Sequence, residues 1–340
     1  MRTLLLAFIM LLTGLAATSF KTIPGSKHFT IIKLAPGVWT AINNDKYGHA
    51  ICNAGIIDLG DKAIIFDPFM NIDAAKDLKF IAGILTGKEA TIVVNSHFHN
   101  DHIRGNQVFL PATIISTEWT RNKIAVSEPN ELAWENANAS KILMDYKQKL
   151  AKARGREREE LPIWIGYYEG MLLSSPLVKT TLPSFTFADS LWIHGSIRSV
   201  KLVECKGGHT LSDLVLEIPS DGIIFMGDLL SQQRHPYLAD GKWKSWITHL
   251  QNFYNNPSYK KFVPGHGEVS GKSELKTMME YINQLHSLVE AQVNSGKPDS
   301  VIRQLPMPSV YNRWKFAHFY SENIEFLIKE VRREDNRLAH

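Results

Sequence analysis

The chain has 340 residues, 44% of them hydrophobic and 21% charged, with a net charge of +4 and a pI near 8.8. That is enough apolar material to bury a large core. The mild charge, and the lack of a basic run interleaved with aromatics, argue against a nucleic-acid partner.

At the N-terminus, Arg2 precedes an apolar run from Leu4 to Ala17, broken only by Thr13 and Gly14, with small residues up to Ser19. Residues 1–19 read as a secretory signal, which places the mature chain in the periplasm or outside the cell; an uncleaved anchor is the alternative. The run is shorter than the roughly 20 apolar residues a span needs, so no stable membrane span is expected after cleavage. Residues 20–340 are then expected to form a single domain. Cys52 and Cys205, the two cysteines, each lie in an apolar, strand-like stretch. Buried thiols suit that setting, and whether they pair is left open.

From Phe29 the pattern is rich in strands. "HFTIIKLAPGVWTAIN" alternates around a Pro-Gly turn, and "ICNAGIIDLGDKAIIFDP" holds two apolar runs around Gly60-Asp61. "NIDAAKDLKFIAGILTGK" has helical spacing, and "ATIVVNS" is a short buried strand. A helical insertion is expected over about 120–180, with Asn130 as a cap, Pro162 as a stop, and Trp164, Tyr167, Tyr168 and Met171 packing it or closing a site. Strand patterns return in "LWIHGSIRSVKLVECKGGH", "DLVLEIPSDGIIFMGDLL" and "KKFVPGHG". C-terminal helices follow over about 273–338, the first stopping near Gly296 and the last capped by Ser321. Polar clusters follow strands in both halves, which points to one α/β domain with a site across the two halves.

The stretch "SHFHNDHIRGN" crowds His97, His99, Asp101 and His102 directly behind a strand. Asp67 ends "AIIFD", His209 follows "VKLVECKGG", Asp228 follows "GIIFMG" and His266 follows "KKFVPG". Strand ends fix positions while loops supply chemistry, so several strands can aim these side chains at one point. Imidazoles and carboxylates without thiolate suit zinc, and iron or manganese less selectively. Asp101 and His102 can serve a second cation beside the first, and Asp228 is a natural bridge between the two. Such a pair holds a hydroxide able to hydrolyse acyl or phosphoryl bonds without a side-chain nucleophile.

HFHNDH matches the HxHxDH signature of the metallo-β-lactamase superfamily, and GGHT, GD and PGHG follow in matching order. The chain resembles that family from about Phe29 to Gly267, Asn53-Ala54-Gly55 included. The resemblance implies an αββα sandwich with two zinc ions. His97, His99 and His209 would hold the first, Asp101, His102 and His266 the second, with Asp228 bridging and Asp67 orienting a ligand. It implies a metal-bridging hydroxide that attacks an acyl carbonyl, with Asp101 and Asp228 as catalytic residues and a small-molecule ester, thioester, lactone or lactam as substrate. Zinc-type β-lactamases usually carry cysteine or serine where Asp228 stands, so the ligand set looks more like glyoxalase II. Arg234 and His235 follow closely; they could reach an anionic substrate group, or Arg234 could form a loop salt bridge. A β-lactamase proper and a mono-iron persulfide dioxygenase-like enzyme are the alternatives. Oligomeric state is not legible.

Overall fold

The computed structural model describes residues 25–338; the expected signal segment lies outside them. The strands expected around the Pro-Gly and Gly-Asp turns form as β1 (Phe29–Ala35), β2 (Val38–Asn43), β3 (Ala54–Asp58) and β4 (Ala63–Phe66), an antiparallel meander. β5 (Ala90–Val94), β6 (Thr113–Thr117) and β7 (Phe185–Phe187) then add in parallel, giving seven strands in chain order. Parallel pairing requires a crossover, and α1 (Ile72–Thr86) supplies the one between β4 and β5. The Asn71 side chain caps it by accepting from the N–H groups of Asp73 and Ala74. One short turn, α2 (Asn100–Ile103), follows β5 and carries part of the histidine cluster.

The insertion is a helical hairpin of α3 (Glu118–Lys152) and α4 (Gly155–Ser174), and here the structure departs from expectation. Thr117, not Asn130, caps α3, and the helix runs on through Pro129. Asn130 instead donates from its amide to the carbonyl of Val126. Buried Arg104 explains the continuity: it is paired at 2.8 Å with both Glu128 and Glu135, one on each side of the proline. Breaking such a buried pair costs about 3–5 kcal/mol, comparable to the roughly 3 kcal/mol penalty of an internal proline. Pro162 likewise lies inside α4, where its neighbours Leu161, Ile163 and Ile165 are buried.

The second sheet comprises β8 (Ser190–His194), β9 (Ser199–Lys206), β10 (Ser212–Ile218), β11 (Ile223–Ser231) and β12 (Lys261–His266). Its order is β12-β11-β10-β9-β8, antiparallel except for β11 with β12. Between β11 and β12 runs α5 (Trp243–Asn255); α6 (Lys272–Asn294), short α7 (Asp299–Ile302) and α8 (His318–Leu338) close the chain. Ser321 falls within the first turn of α8 and does not cap it.

Three apolar layers hold these parts together. Between the sheets, Ile57, Ile64, Phe66 and Val94 meet Leu202, Leu214, Leu216 and Phe225. α1 lays Leu78 and Ile81 against Ile56, Ile65 and Val93 on the first sheet. On the second sheet, Trp246 from α5 and Met278, Ile282 and Leu327 from the C-terminal helices cover Val215, Ile224 and Phe262. Each such side chain contributes about 1.5–3 kcal/mol on burial, so the layers outweigh any single polar contact. The result is an αββα sandwich, with β3, β4 and β11 covered on both faces. Cys52 and Cys205 are both buried and unpaired. Among the described residues, no helix is long and apolar enough to cross a membrane.

Candidate metal centre

Four strand ends and the interior of β11, which runs on past Asp228 where the sequence suggests a strand end, deliver the polar residues expected to converge, and they do converge. Asp67 leaves β4 and sits in the left-handed region at φ 52°. Its carboxylate accepts from the backbone N–H of Ser96 at 2.8 Å, from the Ser96 hydroxyl at 2.7 Å and from Nδ1 of His102 at 2.8 Å. It thus ties the end of β4 to the loop after β5 and aims one imidazole. Asp228 lies within β11 where Gly227, at φ 51°, breaks the register with β12. Gly265 permits the rest of the approach: a Cβ there would run into the Asp228 carboxylate. Asn53 fixes the loop carrying His266, its amide donating to the carbonyls of Pro264 at 2.9 Å and Gly267 at 2.8 Å.

Every imidazole in the cluster is held through one nitrogen and turned inward with the other. Nδ1 of His97 meets the Ser96 hydroxyl at 2.8 Å, and Nδ1 of His209 the carbonyl of Tyr237 at 2.9 Å. Nδ1 of His266 donates to the carbonyl of Ile51 at 2.9 Å. For His99 the tether is Nε2, at 2.9 Å from Asp240 Oδ2. Outer tethers of this kind fix the tautomer and aim of metal-ligating histidines. The inward atoms fall into overlapping groups. Ligand atoms of His97, His99, His209 and Asp228 lie within 4.8 Å of one another, as do those of His102, Asp228 and His266. Asp228 belongs to both. Asp101 completes the second group, its Oδ2 3.3 Å from His102 Nε2 and 3.4 Å from His266 Nε2.

The electrostatics fit cations. Nε2 of His97, Nε2 of His102 and Oδ1 of Asp228 are buried without a hydrogen-bond partner, a costly state unless a ligand meets them. Burial and the neighbouring histidines hold His97 well below 6.5, and burial brings His209 down to about 4, so both offer neutral lone pairs. Burial opposes charge on His102, yet Asp101, Asp228 and Asp67 around it hold its pKa well above 6.5. Burial would raise Asp228, but His266 and His102 keep it well below the usual carboxylate range. A cation would satisfy the same negative field.

Arg234 is not brought to this cluster. Its Nη2 pairs with Asp45 at 2.9 Å, Asp45 also bonds Lys315, and Nη1 donates to the carbonyl of Gln232. His235 is fully buried, its Nδ1 2.9 Å from the Tyr281 hydroxyl, and burial with Arg156 nearby takes its pKa down to about 3. A neutral ring so placed is a poor anion anchor. Sequence reasoning also passed over several contributors. Asp240, Ser96 and the carbonyls of Tyr237 and Ile51 orient ligands from positions that no spacing rule marks. Cys52 lies beside Asp101 and His102 and donates from Sγ to the Asp101 carbonyl at 2.9 Å. Burial pushes its thiol up to about 12, which keeps the proton on sulfur.

Over the cluster lies a cavity of about 250 Å³, which touches His99, Asp101, His209, Asp228 and His266. Trp164 and Tyr167 of α4 form one wall and Tyr237, Phe316 and Phe319 the others. The insertion therefore both packs on its own body and roofs the site. A wider groove of about 800 Å³ opens beyond Tyr237 and Asp240, along α8.

Comparison with known proteins bears on the fold and the family. The metallo-β-lactamase type 2 of Bacteroides fragilis is 22% identical over 285 residues, 81% of this chain and 94% of that protein. A metallo-β-lactamase structure from Pontibacter korlensis superposes with a TM-score of 0.53 at 18% identity, covering 75% of this chain and 99% of its own. One from Erythrobacter litoralis gives 0.53 at 15% identity, over 77% and 100%. At such identities the structures speak for the fold alone. The sequence pattern of the metallo-beta-lactamase superfamily, however, matches residues 47–266, more than half the chain and all seven inward-facing residues, and to that superfamily the chain belongs.

Proposed function

We propose that this chain is a binuclear metal-dependent hydrolase acting on the acyl bond of a small ester, thioester, lactone or lactam. Membership of the superfamily supports metal-dependent hydrolysis at the level of the family. The observation that carries the finer reading is the pair of inward-facing groups sharing Asp228. His97, His99 and His209 would hold one cation and Asp101, His102 and His266 the other. Two zinc ions bound there would supply Lewis acidity for the carbonyl and lower the pKa of water towards roughly 7.

The chain's own residues do the rest. Asp67, Ser96 and Asp240 keep the imidazoles in the tautomers that face inward. Asp101, whose side chain is 13% exposed, borders the cavity and is placed to orient the attacking water. The aromatic walls take up the organic part of the substrate and exclude bulk water, which strengthens every charge interaction within. Export remains part of the proposal on the strength of the apolar N-terminal run.

The test is turnover of a chromogenic cephalosporin, then of ester, thioester and lactone panels, by zinc-loaded mature protein against a chelated control. Chelator-sensitive turnover of any of these supports the reading. Protein confirmed to hold two equivalents of metal, yet inert to all four classes, would sink it.

A further inference from the structure

The cavity over the ligand cluster has a chemical character that acyl hydrolysis alone does not require. Its rings stand close together: Trp164 and Phe316 have centroids 5.0 Å apart, Tyr237 and Phe319 5.3 Å, and Trp164 and Tyr167 5.8 Å. Phe316 also reaches the ligand His266 at 5.2 Å. Half-buried Glu131 of α3 and, exposed at the rim, Glu322 of α8 also line the cavity, and neither has an ion-pair partner among the described residues. No lysine or arginine lines it. The guanidinium groups at its margins are taken, Arg104 by Glu128 and Glu135 and Arg234 by Asp45. Burial and nearby Glu128 push Glu131 up to about 7.

Aromatic faces attract cations through their quadrupoles, more strongly when the site is dry, and adjacent carboxylates add to that attraction. Above pH 7, where Glu131 is ionised, an anionic group in the same place would meet two carboxylates and no lysine or arginine. The geometry points to an acyl substrate that carries an alkyl- or arylammonium group, held between the aromatic walls and Glu131 and Glu322 while its carbonyl lies at the ligand cluster. This rests on the acyl-hydrolase reading of the same site and deepens it by naming the substrate class. It also separates this pocket from one built to grip a substrate carboxylate.

The test uses three benzoates that present the same carboxylate to the metals and differ only at the para position: 4-(trimethylammonio)benzoate, its neutral isostere 4-tert-butylbenzoate, and 4-sulfobenzoate. Dissociation constants are measured by calorimetry on the zinc-loaded chain, independently of turnover. The expected result is that the ammonium compound binds about tenfold tighter than the tert-butyl isostere, with the sulfonate weakest. In the Glu131→Gln/Glu322→Gln double variant most of that advantage disappears. Equal or tighter binding of the tert-butyl or sulfonate compound overturns the proposal, as does failure of all three to bind. The two readings fail separately. Ammonium preference in a protein that hydrolyses none of the acyl panels removes the hydrolase and leaves the cation pocket. Chelator-sensitive hydrolysis with the neutral isostere preferred does the reverse.

Discussion

His97, His99, Asp101 and His102 come to the ligand cluster that floors the cavity from one six-residue stretch, His99 and Asp101 reaching the cavity itself, whereas Trp164, Tyr237 and Phe316 come to its walls from three distant segments. The floor is built on strand ends, and each of its rings is hydrogen-bonded from behind. The walls are built on helices and connecting loops, and ring–ring packing is what sets them. Floor geometry is thus fixed by the sheets, while wall composition is free to vary with little effect on metal chemistry. Substitutions in the two regions should therefore fail differently.

The largest effect belongs to the floor. Asp228→Ala removes the residue common to both ligand groups, and chelator-sensitive turnover is expected to fall to background while far-UV circular dichroism stays unchanged. Near-normal turnover in a metal-replete variant would contradict the ligand assignment. Asp67→Asn acts one step further back. Asparagine tolerates the left-handed backbone at this position, but it withdraws the charge that holds His102. Metal affinity, read by chelator competition, should weaken about 10–100-fold; an unchanged affinity would reduce Asp67 to a turn residue.

The smallest effect lies in the walls and carries the opposite sign. Glu131 has a folded pKa of about 7, above its ordinary 4.5, so the folded state binds the proton more tightly than the unfolded chain does. For such an acid the penalty on folding is absent below pH 4.5, grows as pH rises to 7 and is constant above. Glu131→Gln should therefore stabilise the protein by about 1–3 kcal/mol at pH 8, a range kept below the full shift because the carboxyl is partly hydrated. The gain should vanish near pH 4, with metal content unaltered throughout. Thermal melts of both proteins at the two pH values decide it; a constant difference would mean that packing, not charge, is responsible.

The same division explains what could be read in the sequence. The floor was legible because its residues follow apolar strands at short, rigid intervals, so His209, Asp228 and His266 could be matched to strand ends without knowing how the sheets pack. Asp240 was not, since nothing in "YLADGKW" announces that its carboxylate will meet His99 across 141 positions. The insertion is legible as helical, but its internal cap and stop are not, for a related reason. Pro129 and Pro162 argue locally for breaks, and only the tertiary grip on Arg104 and the burial around Pro162 override them. Arg234 illustrates the converse, a residue whose sequence position invited a role that Asp45 had already taken.

Arg104 sits two positions after His102, and both of its carboxylate partners belong to α3. The loop that carries the ligands and the hairpin that roofs them are thereby bolted together as one mechanical piece. Anyone grafting a foreign 118–174 segment to alter selectivity inherits that bolt. A donor segment without acidic residues where Glu128 and Glu135 stand would strand a guanidinium inside the protein and slacken the turn beneath the histidines, so a workable chimera must transplant both carboxylates or retire Arg104 along with them.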